Sequence, residues 1–166
     1  MPRASSAPQH PPRSRVAQRV ARGFPADQWH TLMRLPAEVM IAVIATLPPD
    51  HRRTVPVGLA GLDAIAAGRS YDSNLVRAVV AAIYAEPEDP DAGGSTDAAH
   101  QREQVLVACR QAMTTLRQYA DPGDAAVYRH WVQQVAVRVS AAAYPGGETV
   151  PALQQEFLAA LGDVLR

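Results

Sequence analysis

Fourteen prolines in 166 residues constrain this chain more than any other feature. A proline has no N–H for a helix or sheet ladder, and it pushes the residue before it out of helical geometry. Beyond Pro12, most of them stand at the edges of segments whose apolar residues recur every three or four positions. That spacing builds one-sided helices, whereas a half-buried strand alternates residue by residue. The prolines therefore read as punctuation between helices.

Taken in order, Pro25 and Asp27 open a short first helix with Trp29, Leu32 and Met33. Pro36 falls where a second helix would have its first residue, a position that needs no N–H. That helix follows Val39, Met40, Val43, Ile44 and Leu47 until Pro48 and Pro49 end it. A third spans Thr54 or Val55 to about Ala67, with Pro56 in its first turn and Gly68 suited to a left-handed cap. Ser73 caps a fourth, which runs through Ala85 and stops at Pro87, burying Leu75, Val76, Val79, Val80 and Ile83. A fifth begins near Thr96 and carries Val105, Leu106, Cys109, Ala112, Met113, Leu116 and Tyr119 on one wide face. A sixth runs from Pro122 to Tyr144 with Val127, Tyr128, Trp131, Val135, Val139 and Ala142 inward, and pairs with the fifth as a long antiparallel hairpin. Thr149 caps the last, striped by Leu153, Phe157, Leu161 and Val164. The expected fold is all-α: a compact bundle of about six to seven helices with a long C-terminal helical hairpin, forming a single domain over residues 24–166. An alanine-rich, aromatic-poor composition suits closely packed helices better than sheet.

Residues 1–23 read as a disordered Arg/Pro-rich tail with little to bury. Within it Val16 and Val20, one turn apart beside basic residues, hint at a short amphipathic helix that forms on contact. Arg13, Arg15, Arg19 and Arg22 make the tail an electrostatic arm. Its counterpart is a flexible acidic loop at 86–96 holding Glu86, Glu88, Asp89 and Asp91, in the same chain or a neighbouring subunit. The formal net charge is zero, so no global field draws nucleic acid, an anionic membrane or an acidic partner. Nucleic acid is expected to make only weak, salt-sensitive tail contacts. No apolar run is long enough for a spanning helix, and the lone Cys109 cannot close an internal disulfide. A cytoplasmic location is expected. All sixteen basic residues are arginine, which suggests the coding bias of a high-GC bacterium.

The sets that carry catalysis are incomplete here. His100 and Glu103 invert the Glu-x-x-His order of di-iron bundles and occur once. Asp89, Asp91, Gly94 and Asp97 match four positions of a calcium loop, but Gly93 and His100 occupy two ligand positions, the second being that of the closing glutamate. Cys109 lies on an apolar stripe without a histidine nearby and reads as a buried thiol. Gly58 and Gly61 read as close helix contacts, not a phosphate cradle. The expected complement is no catalytic residue, no cofactor and no metal. The chemically densest run is Tyr128, Arg129, His130 and Trp131. Trp131 would anchor the core, Tyr128 would keep its hydroxyl at the rim, and His130 would be a surface group.

From Trp29 onward the chain resembles a group of uncharacterised bacterial all-helical proteins. The resemblance rests on Trp29, Leu32, Leu35 and Pro36, then on Tyr128, Arg129, Trp131, Val135, Ala136, Val139, Ala142 and Ala143, and on Gly146, Gly147, Val150 and Glu156. More distantly it is similar to the TerB-like domains linked with tellurite and stress resistance, which implies a stress-related role. Where those domains place acidic metal ligands, this chain has Pro48, Pro49, Asp50, His51, Arg52 and Arg53. Two functional expectations follow. One is a non-enzymatic helical protein acting through a protein partner or homo-oligomer. The other is a small-molecule binder or enzyme with a pocket beside Tyr128, His130 and Trp131, joined by Glu103 or Arg110.

Overall fold

The structure, a computed structural model, describes the backbone of residues 12–52, 55–86 and 97–166 and the side chains of 15–50, 55–86 and 97–166. The described residues form helices α1 (Pro12–Ala21), α2 (Ala26–Thr46), α3 (Pro49–Arg52), α4 (Val55–Ala67), α5 (Asn74–Ile83), α6 (Ala98–Tyr119), α7 (Pro122–Ala143) and α8 (Ala152–Val164), and no strand. A 3₁₀ turn, Gly68–Ser70, joins α4 to α5. The all-α architecture read from the proline spacing is thus the observed one.

Several boundaries move, each for an identifiable reason. The first two expected helices are one, because Pro36 lies inside α2 instead of opening a new helix. The segment expected to lack structure through Gly23 is helical from Pro12 to Ala21, and residues 1–11 lie outside the described residues. Val20 of α1 packs against the core, and α1 rests along α5. Phe24 then anchors the α1–α2 link, with its ring 5.7 Å from Trp29 and 6.1 Å from Tyr119. Thr149 does not cap α8. Pro151 stands at that cap, and its carbonyl accepts from Gln154 and Gln155. Ser73 does cap α5, accepting the Val76 N–H at 3.2 Å, and Asp121 caps α7 by accepting from Gly123 and Asp124.

α2 and α7 form the centre. α6 packs chiefly on α2, α4 chiefly on α7, and α8 closes one side against α6. α6 and α7, 22 residues each, are joined through Ala120 and Asp121, yet each leans more on α2 than on the other. Two glycines set how close the helices come. A Cβ on Gly61 would lie 2.3 Å from the Met40 sulfur and 3.1 Å from Val139. A Cβ on Gly68 would lie 2.7 Å from Val80 and 2.8 Å from the Trp131 ring. Gly68 therefore serves close packing and not the left-handed cap expected of it. Gly147, at φ +73°, is the one left-handed glycine among the described residues.

The neighbours of Gly68 cannot step aside as Met40 can, since Trp131 is fully buried and Val80 is held in the same core. Gly68→Ala is therefore expected to lower stability by about 1–3 kcal/mol, the usual cost of overpacking. Urea unfolding monitored by circular dichroism measures it, and Gly58→Ala, where a Cβ meets nothing within 4 Å, serves as the control.

Candidate functional site

The aromatic run on α7 is the place to begin, because both functional expectations involve it. Tyr128 and Trp131 are fully buried, edge to face with centroids 5.8 Å apart. The Tyr128 hydroxyl donates to the Leu32 carbonyl at 2.7 Å. That carbonyl lies four residues before Pro36 and so has no N–H to accept from along its own helix. Trp131 Nε1 donates to the Ala64 carbonyl at 3.1 Å, in the last turn of α4. Both polar atoms thus serve the backbones of other helices. The Tyr128 hydroxyl is in the core and not at the rim.

His130 is exposed, its ring 6.1 Å from Tyr71. Arg129 donates to the main-chain oxygen of Arg166, tying α7 to the chain beyond α8. Glu103 and Arg110 are exposed on α6. The fold therefore does not draw Tyr128, His130 and Trp131 into one open pocket. Two of them face the core and one faces solvent.

Cys109 is fully buried on α6. Burial pushes its thiol up to about 12, with the Glu38 carboxylate acting in the same direction and Arg110 against it. Burial likewise holds the Tyr128 phenol well above its ordinary value, reinforced by Cys109 and Glu38. A thiol so raised is no nucleophile at neutral pH. Among the described residues no three His, Cys, Asp or Glu side chains gather where they could hold one ion. His100 bonds Gln104 one turn along at 2.7 Å. Asp89, Asp91, Gly93 and Gly94 lie outside the described residues, as do the 87–96 part of the acidic loop and the side chains of Arg13, His51 and Arg52, while Asp97 caps α6 by accepting from Ala99. Arg15, Arg19 and Arg22 are exposed on or just after α1.

Two surfaces stand out instead. The first is the outward face of α4, where Val55 is 71% exposed, Leu59 53% and Leu62 51%. These recur at four and three residues and so form one stripe, while Val57, Gly61, Ala64 and Ile65 face the core. Asp63 is the only charged residue in this helix. A helix apolar on every side is ordinarily buried on every side. The second is a half-open groove of about 630 Å³ between α1 and α5, lined by Val16, Ala17, Arg69, Asn74, Arg77, Ala78 and Ala81. Neither surface is legible from the sequence pattern. Pattern analysis assigns apolar residues of a helix to the core by default, and a groove needs two helices placed side by side.

Among the described residues no helix is long and apolar enough to cross a membrane. Compared with protein-family models, curated proteins and solved structures, the chain matches none.

The two buried groups yield separate expectations. Tyr128→Phe should cost about 1–3 kcal/mol, because it leaves the Leu32 carbonyl buried without a donor. In a Pro36→Ala background the residue 36 N–H takes over that carbonyl, so the same change should cost less, and a double-mutant cycle by urea unfolding reads the difference. For Cys109 the folded value lies above the unfolded one of 9.0, so above that pH the unfolded chain releases a proton that the native chain keeps. Stability is expected to fall as pH rises from about 9 towards 12, and less steeply in Cys109→Ala, as melting curves across that range would record.

Proposed function

We propose that this chain is a non-enzymatic cytoplasmic helical protein of bacterial origin that works by self-association through the outward face of α4. The observation that carries the reading is the stripe Val55, Leu59 and Leu62, exposed on a helix with a single charged residue. Water contact with three large apolar side chains in a row is unfavourable, and removing two such stripes at once is the simplest relief. A second copy fits because the formal net charge is zero, so two copies meet without long-range repulsion. Gly58 borders the stripe with open space where a Cβ would sit, which lets a facing helix approach closely. The arrangement is isologous, with the same surface on both copies.

Three anchors on one helix cover less than the about 800 Å² per partner of a stable complex, so the association is weak and concentration-dependent. The buried thiol of Cys109 suits a reducing compartment without requiring one. A stress-related role, as the TerB-like resemblance implies, belongs to this reading as its physiological setting.

Sedimentation equilibrium over a wide concentration range tests the proposal. We expect a reversible dimer that Leu59→Glu weakens about tenfold or more, with the melting temperature unchanged because this side chain is more than half exposed. A wild-type chain that stays monomeric at every concentration, or a Leu59→Glu chain that dimerises as before, overturns it.

A further inference from the structure

The groove between α1 and α5 has two kinds of wall. Val16 and Ala17 of α1 and Ala78 and Ala81 of α5 give a shallow apolar side without aromatic rings. Arg69, Asn74 and Arg77 give a polar side. At about 630 Å³ it falls within the size range of small-molecule sites.

The two guanidinium groups differ in how they are held. Arg77 Nη1 donates to the Tyr71 carbonyl at 3.0 Å and Nη2 to Asn74 Oδ1 at 3.1 Å, which fixes the plane of the fork. A guanidinium carries five N–H donors, so these bonds do not exhaust it. The Asp72 carboxylate stands 3.8 Å away and is fully exposed, a weak partner in water. Arg69 has its guanidinium carbon over the Tyr84 ring, 4.2 Å from the centroid, a cation–π contact that takes none of its N–H donors to a carboxylate among the described residues. No carboxylate pairs with Arg69 among the described residues. Two positive charges against Asp72 leave one uncompensated at the groove. α1 adds arginines and no acid to the surrounding field.

We infer that this groove binds an amphiphilic monocarboxylate, with its acyl chain along Val16, Ala17, Ala78 and Ala81 and its carboxylate between Arg69 and Arg77. A planar carboxylate matches the guanidinium fork with two parallel hydrogen bonds. The arginines of α1 do not line the groove, so Arg69 and Arg77 against Asp72 leave one positive charge there, which a monoanion balances. Small, non-aromatic walls suit a flexible chain better than a ring that needs a stacking partner. The site is separate from the α4 face, so substitutions in one leave the other intact.

The test titrates the full chain calorimetrically with decanoate below its micelle concentration, beside decanol and decylamine, and separately with phosphatidylglycerol vesicles. Saturable decanoate binding about tenfold or more tighter than decanol is expected, weakening as salt rises. Arg69→Gln with Arg77→Gln should bring decanoate down to the decanol level while leaving the melting temperature unchanged, since both side chains are exposed. Ala81→Trp, at an exposed position on the groove wall, should remove binding of both ligands. Equal affinity for decanoate and decanol overturns the inference. So does undiminished decanoate binding in the double variant, or binding to vesicles alone.

Discussion

The fold turns on one buried carbonyl. A proline inside a helix withdraws an N–H and crowds the oxygen four residues back, so the Leu32 carbonyl of α2 lies in the core with no donor from its own helix. A buried acceptor left unmatched costs about 1–3 kcal/mol, a large share of the margin by which a small domain is stable. The Tyr128 hydroxyl supplies the missing donor from α7 across 96 residues of chain. α2 therefore continues through Pro36, and its register against α7 is fixed by a directional bond in addition to apolar contact.

Trp131, one turn further along α7, ties that helix to α4. Its indole N–H donates to the Ala64 carbonyl, and its ring occupies the space that Gly68 leaves by lacking a Cβ. α4 is thus held at a fixed depth and rotation, with Gly61 and Ala64 inward. Because its thirteen residues include a single charged one, fixing the inner face also presents an apolar outer one. The exposed stripe is a consequence of how α7 seats the helix. Beyond the 3₁₀ turn Gly68–Ser70 the chain reaches α5 through Tyr71, Asp72 and Ser73, and α1 lies along α5 without filling the groove between them.

Much of this was legible from local pattern. The helical class, the Ser73 cap, most inward positions of α5 to α8 and the burial of Cys109 follow from spacing, capping chemistry and proline placement, whereas Tyr119 and Leu153, expected inward, are 39% and 45% exposed. Local rules favour a helix start at Pro36, and no local rule reports a hydroxyl 92 residues later in the chain. Val16 and Val20 showed one turn of apolar surface, but whether ten residues stay helical depends on α5 being present beside them. Gln154 is fully buried, bonding Ser140 at 2.9 Å through its amide nitrogen, where its polarity alone would have placed it outside.

The sequence by itself determined where most of the helices run and which side of most of them is greasy, because those properties depend largely on neighbours three and four residues away. Tertiary structure decided what the aromatic run on α7 does, which face of the largely apolar helix α4 is left to water, and where a groove opens. Those outcomes depend on distances between segments remote in the chain, and a side chain's partner there is set by packing depth and rotation, which no periodicity encodes.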